Sequence, residues 1–101
     1  MKKIILVFVV ILTACSNKKE INQIADVSCG QCKFDLKSQK GCDLAVKIDG
    51  KAYFIDGAHI DDFGDAHDIN SGFCNVIRKA NVKGIIEKDR FKTSYLKLID
   101  D

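Results

Sequence analysis

Leu44-Ala-Val-Lys-Ile-Asp-Gly-Lys-Ala-Tyr-Phe-Ile-Asp-Gly57 is the stretch from which the fold is read. Two apolar-rich runs flank Asp49-Gly50. A two-residue turn of that composition joins antiparallel strands, because glycine adopts positive φ freely and aspartate tolerates it. The pattern predicts strands over 43–48 and 51–56. Further along, His59 to Gly72 is rich in Asp, Gly and Asn, too polar for a core element, and reads as a loop. Ser71 then stands where a helix cap would, with Phe73, Val76, Ile77 and Ala80 at helical spacing, so a short helix is expected through Lys79. Val82 to Ile86 and Phe91 to Leu98 alternate or run apolar around Glu87-Lys-Asp-Arg90, which predicts a second hairpin. Toward the N-terminus, Gln23 to Ser28 supplies a first strand.

The resulting order is β-β-β-α-β-β, a mainly β chain with one short helix between the third and fourth strands. A small five-stranded OB-like barrel uses this order. An open α+β sheet with the helix on one face is the alternative that the pattern leaves open.

Upstream of this region the chain changes character. Lys2 and Lys3 supply positive charge, Ile4 to Leu12 contains no polar residue, and small residues then lead to Cys15, which is the layout of an export signal. The apolar run is too short to stay in a bilayer as a spanning helix. Leu12-Thr13-Ala14-Cys15 resembles the lipobox of bacterial lipoproteins. That resemblance implies removal of residues 1–14, acylation of Cys15 and a durable hold on the membrane surface through several buried acyl chains. Ser16, where an aspartate would retain the protein on the inner membrane, favours the outer one in a host with two membranes. The expected location is therefore extracytoplasmic, lipid-anchored to the bacterial cell membrane or outer membrane. Residues 15–24 are polar and read as a lipidated tether, leaving 25–101 as a single small β-rich domain. A core of that size is marginal, and such domains are commonly stapled by disulfides or a metal.

Sixteen Lys and Arg stand against fourteen Asp and Glu. Two of the lysines belong to the signal, so the exported chain is formally neutral, which argues against a nucleic-acid partner. The charges are segregated: Asp43 to Asp68 is acidic and Arg78 to Lys97 basic. Two solvated faces that attract one another is the expected use.

With Cys15 assigned to lipid, Cys29, Cys32, Cys42 and Cys74 remain. An even number of cysteines in a small exported domain suits two disulfides, for which three pairings exist. Cys29-Gly-Gln-Cys32 equally has the two-residue spacing that lets two thiolates reach one metal ion, zinc or copper being the candidates. Cys42 and Cys74 are single, so further ligands are sought in His59, Asp61, Asp62, Asp65 and His67, with His59, Asp65 and His67 the leading candidates. The segment His59 to His67 does not fit a calcium loop, which needs oxygens at alternate positions and a distal Glu. A hydrogen-bonded polar loop covering one end of a barrel is its simplest reading. Cys-X-X-Cys also serves thiol-disulfide chemistry when the first thiol starts a helix, but no strand-helix-strand context accompanies it here.

Cys29-Gly-Gln-Cys32, Gly41-Cys42-Asp-Leu-Ala-Val46, Ile48-Asp-Gly50, Ile60-Asp-Asp62, Gly64-Asp-Ala-His67, Gly72-Phe-Cys74 and Ile77-Arg-Lys-Ala80 together resemble a family of small exported bacterial proteins of unknown function. The resemblance runs from Cys29 to about Leu98. It implies that the four cysteines and His67 recur as a set, and that relatives often carry a histidine where this chain has Phe63, so that an imidazole there is not an obligatory ligand. The closing segment, Val82-Lys-Gly84 with Phe91 to Leu98, is similar to the last hairpin of small OB-like periplasmic modules. The expectation is a non-enzymatic, membrane-tethered binding or structural domain with its cysteines in disulfides or a Cys/His metal site. A thiol-redox or metal-dependent envelope enzyme is the alternative, and a purely structural interaction module is a third.

Overall fold

A computed structural model describes residues 19–99. The signal Met1 to Ala14, Cys15 and the tether through Lys18 lie outside the described residues, as do residues 100 and 101. Five strands are formed: β1 (Lys19–Cys29), β2 (Leu44–Ile48), β3 (Lys51–Asp56), β4 (Arg78–Glu87) and β5 (Arg90–Leu98). A single helical turn, α1 (Gly30–Lys33), follows β1, and a 3₁₀ turn at Ile60–Phe63 follows β3.

The strands close into a barrel in the order β1-β2-β3-β5-β4. Hairpin pairing joins β2 to β3 and β4 to β5, while β1 runs antiparallel to both β2 and β4. The one parallel contact, Ile55 opposite Phe91 and Asp56 opposite Lys92, seals the seam between β3 and β5. This is the five-stranded OB-like barrel, and the open-sheet alternative is excluded by closure.

Period-two alternation fills the interior. Ile21, Ala25, Val27 and Cys29 of β1 point inward with Leu44, Val46 and Ile48 of β2, Ala80 and Val82 of β4, and Phe91 of β5. The loop ahead of β4 adds Phe73, only 2 % exposed, whose ring meets the edge of Phe63 with centroids 6.0 Å apart. Burying a side chain of this kind contributes about 1.5–3 kcal/mol. Outside the barrel, Phe54 and Ala45 are also buried. There α1 packs so closely that a Cβ on Gly30 would stand 2.7 Å from the Phe54 ring and 3.0 Å from the Ala45 methyl.

Three expectations are corrected. The helix from Ser71 to Lys79 does not form: residues 71–77 are turns and irregular backbone, and β4 begins at Arg78. One helical hydrogen bond survives, Val76 N–H to the Gly72 carbonyl. The rest of the segment is claimed by tertiary partners, with the Cys74 N–H bonded to the Ala66 carbonyl and Asn75 Nδ2 to the carbonyls of His67 and Asp68. The supposed apolar face is accordingly split, Phe73 being buried and Ile77 47 % exposed. Helix instead appears as α1 and as the 3₁₀ turn inside the stretch read as loop. Lastly, residues 19–24 are strand, not tether, because β4 supplies a partner for each of them, from Ile86 opposite Lys19 to Asn81 opposite Ile24.

Both hairpin turns need two consecutive residues at positive φ. Asp49 and Gly50 have φ of 51° and 86°, and Lys88 and Asp89 have 54° and 64°. Left-handed backbone costs an ordinary L-residue about 1–2 kcal/mol. Gly50→Ala, at a position where nothing lies within 4 Å of the new methyl, should therefore destabilise the barrel by about 1 kcal/mol. Lys88→Gly should do the opposite by about 0.5 kcal/mol, since relief of strain exceeds the added chain entropy. Urea midpoints measured at unchanged slope test the pair, and shifts of the same sign would contradict the assignment.

Candidate metal centre

Four chain segments meet at the end of β1. Alternation along the strand turns Cys29 inward, and pairing with Leu44 of β2 fixes its height, so the thiol is wholly buried. The chain then tightens into α1, and one turn of helix returns Cys32 toward Cys29, as the two-residue spacing allows. Residues 34–43 loop out and come back onto the same place: the Gly30 N–H bonds to the Asp43 carbonyl at 2.8 Å, beside Cys42. From the far side of the sequence, Cys74 follows the buried Phe73, and its N–H is fixed 2.9 Å from the Ala66 carbonyl.

The four sulfurs all lie within 4.8 Å of one another, and Cys42 Sγ and Cys74 Sγ are 2.9 Å apart. No pair is joined as a disulfide. Sulfurs bound tetrahedrally to one zinc ion at about 2.3 Å stand about 3.8 Å from each other, so the cluster is compatible in size with a mononuclear four-thiolate site. The donor set is purely soft sulfur, which suits zinc, iron or monovalent copper and not magnesium or calcium. Burial falls off across the cluster: Cys29 is buried, Cys42 and Cys74 are half-buried and Cys32 is exposed.

Proton sharing binds the thiols together electrostatically. Burial presses the Cys29 thiol upward, but hydrogen bonds from the Cys42 thiol, from the N–H and thiol of Cys32 and from the Gln31 N–H outweigh it and hold Cys29 below its ordinary value. The donors move the other way. Cys32 is pushed up to about 11, chiefly by its bond to Cys29. Cys42 is pushed well above the ordinary thiol range, first by burial and then by its bonds to Cys29 and Cys74. Further negative charge in the cluster is opposed by like-charge repulsion, which a cation at its centre would remove.

A polar network holds the loops that carry these thiols. Gln31, between Cys29 and Cys32, donates from Nε2 to Asp43 Oδ2 at 2.9 Å and accepts the Asp43 N–H at 2.8 Å. Gln39 donates to the same carboxylate oxygen at 2.7 Å, and Arg90 of β5 donates to Gln39 Oε1 while its Nε sits 3.0 Å from both Asp56 oxygens. The bonds from Gln31, then Gln39, hold the Asp43 carboxyl below its usual range. The Arg90 and Asp56 pair also realises the attraction between the acidic middle and the basic end of the chain. On the opposite side, Ser28 is fully buried, its hydroxyl 2.7 Å from the carbonyls of both Phe73 and Val76. It ties β1 to the segment bearing Cys74.

The expected histidine and aspartate ligands are not brought here: among the described residues, the group within ligating distance consists of the four cysteines. His67 and Asp65 are exposed and face each other at 3.8 Å. Their loop serves the centre through backbone, the Ala66 carbonyl holding Cys74. His59 closes the 3₁₀ turn through its backbone, its carbonyl accepting the Asp62 N–H at 3.0 Å and its backbone N–H donating to Asp62 Oδ2 at 2.9 Å. Ser28, Gln31, Gln39, Asp43 and Arg90 were not among the residues singled out. A lone serine at the end of an apolar strand is the one local signal that could have pointed to any of them.

Fold and site together define a small closed-barrel protein with a convergent four-thiol cluster at one end of the barrel. Residues 23–99 match the family model of DUF6370, a family of unknown function, and the chain belongs to that family. Comparison with curated proteins and with solved structures finds no match.

Removing the Ser28 hydroxyl takes away the one proton shared between the carbonyls of Phe73 and Val76, of which the first keeps the Cys29 N–H, a loss of about 1 kcal/mol. Ser28→Ala should lower stability by that amount and speed alkylation of Cys74 in the metal-free, reduced protein. Unchanged alkylation at Cys74, mapped by mass spectrometry, would show that Ser28 does not hold the segment.

Proposed function

We propose that this protein is an exported, lipid-anchored barrel whose four cysteines bind one metal ion, with zinc the best candidate. The convergence of four free sulfurs from three separate stretches of chain carries this reading. Two disulfides would require only that cysteines meet in pairs, whereas a single ion requires all four to meet at one point. Zinc is preferred because a tetrahedral set of four thiolates is its usual structural site, and because it has no redox chemistry of its own in an oxidising space. The alternative of a thiol-redox enzyme is disfavoured by exposure. The attacking thiol of such a motif is the first one, at a helix start and open to substrate, whereas Cys29 is 0 % exposed.

The anchor adds a direction to the reading. Cys15 precedes β1 by only a few residues, and Cys29 ends that strand. Lipid and metal would therefore lie at opposite ends of β1, about 33 Å apart along it at the usual rise per residue. The thiols are then carried on the side of the domain remote from the bilayer, where the exposed Cys32 meets the aqueous phase. The role that follows is binding: a tethered domain that is stapled by its ion and that presents the stapled loops outward.

The full chain, purified in detergent under reducing conditions with no metal added, should hold one zinc ion per chain. Cobalt substituted for it should give the intense visible bands of tetrahedral thiolate coordination. Cys29→Ser should weaken zinc binding by roughly 100-fold or more, since ligand loss exceeds the 10–100-fold cost of losing a supporting partner. His67→Ala should leave binding unchanged. Copper in place of zinc would correct the choice of ion, and a metal-free reduced protein would refute the centre. The anchor is tested separately: cells fed labelled fatty acid should label the wild-type chain and not Cys15→Ala, and labelling of both would refute lipidation at Cys15.

A further inference from the structure

We infer that the centre can be emptied reversibly by oxidation, and that the bridge which empties it joins Cys42 to Cys74; this rests on the metal reading above. Cys42 Sγ and Cys74 Sγ lie 2.9 Å apart, closer than two uncharged sulfurs rest without bonding. Of the three pairings open to four cysteines, this contact selects the one that leaves Cys29 with Cys32. Exposure permits the same choice: both sulfurs of the pair are half-buried and open to a small reagent, whereas Cys29 is buried. The exposed Cys32 is the most accessible of the four thiols, so the 2.9 Å contact, not access, selects the pair.

The backbone favours it too. Cys29 and Cys32 are fixed by β1 and α1, but Cys42 and Cys74 both lie in irregular segments, the first directly after Gly41 at φ 107°. Such segments can move the short distance that bond formation needs. A bridge here also replaces what the ion did. It ties the loop before β2 to the loop before β4, so the two segments stay joined when the metal leaves.

The reaction needs an oxidant, and a disulfide is the chemical class suited to an exported protein. One thiolate of the pair attacks a sulfur of the reagent, its S–S bond breaks, and one reagent thiolate departs, leaving a mixed disulfide on the protein. The second cysteine of the pair attacks the protein sulfur of that mixed disulfide and expels the other reagent thiolate. Two electrons pass from Cys42 and Cys74 to the reagent, and no proton is required. The ion loses two of four ligands and dissociates from Cys29 and Cys32. A dithiol reverses each step.

The test uses the full chain in detergent, reduced, loaded with zinc and treated with excess oxidised glutathione. Zinc release is followed with a chromogenic chelator, and disulfides are mapped without reduction. Trypsin distinguishes the inferred pairing from the other two. Cys29 and Cys32 share the peptide 20–33, Cys42 lies in 41–47 and Cys74 in 52–78. The expected result is one zinc released for each linkage between 41–47 and 52–78, with uptake restored by dithiothreitol. In Cys32→Ser, whose zinc binding is weakened, the same two peptides should still become linked. Zinc release with a bridge inside 20–33 alone, or with 20–33 linked to either other peptide, overturns the pairing while leaving the metal centre intact. Full retention of zinc under oxidation overturns the switch. Absence of zinc from the reduced protein overturns the metal reading, and the switch with it.

Discussion

Strand β1 is hydrogen-bonded along both edges. Lys19 to Val27 pair with β4 and Asp26 to Cys29 pair with β2, so the two ladders overlap at Asp26 and Val27. That overlap is what turns two hairpins into a closed barrel, since β2-β3 and β4-β5 otherwise touch only through two residue pairs of the parallel seam. It also fixes the phase of alternation. With Val27 pinned between β2 and β4 and pointing inward, Cys29 must point inward as well, because side chains two apart on a strand share a face. A one-residue slip would put the thiol on the outside and destroy the cluster.

Around that fixed thiol, the remaining three cysteines are held by polar contacts more than by apolar packing. Gln31 and Asp43 exchange two hydrogen bonds across the gap between α1 and the return to β2, and Ser28 and Ala66 hold the approach of Cys74. Each bond contributes only about 1 kcal/mol net, yet all act on segments without regular structure, where little else selects a conformation. Gly30 completes the arrangement by letting α1 rest directly on Phe54 and Ala45. Supporting residues of this kind orient ligands before an ion arrives, which lowers the ordering cost of binding it.

Legibility in the sequence followed the range of the interactions. Asp49-Gly50 announces its own hairpin because turn chemistry is local, and the strand read over 51–56 has those bounds in the structure. The strand order was readable for the same reason. By contrast, Ser71 to Ala80 carries a sound helical pattern that loses to hydrogen bonds donated by Cys74 and Asn75 to the carbonyls of Ala66, His67 and Asp68, and only the closed barrel brings these into reach. Residues 19–24 look like tether because their polar side chains face water, while their backbone is claimed by β4. Cys29-Gly-Gln-Cys32 was recognisable as a ligand pair by spacing, but the approach of Cys42 and Cys74 depends on closure between segments far apart in sequence. His67 misled because proximity in sequence says nothing about where a ring points: its neighbour Ala66 faces the barrel and His67 faces solvent.

A barrel this small gains from a cross-link that acts on long-range order. Cys29 and Cys32 are joined locally by α1 already, so tying them together adds little. The ties that matter run from this pair to Cys42 and to Cys74, since they close long loops and restrict the unfolded chain most. An ion held by all four would supply both ties at once, at the place where β1 leaves the barrel, where its pairing with β4 has already ended at Val27. The same location sets the limit of the device. A site at a strand end, with one ligand exposed, can exchange its ion without opening the barrel, because Val27, Val46, Val82 and Phe91 remain packed on the inner side of Cys29. An ion bound there would therefore order the loops around residues 30–43 and 64–77, while the pairing of the five strands does not depend on it.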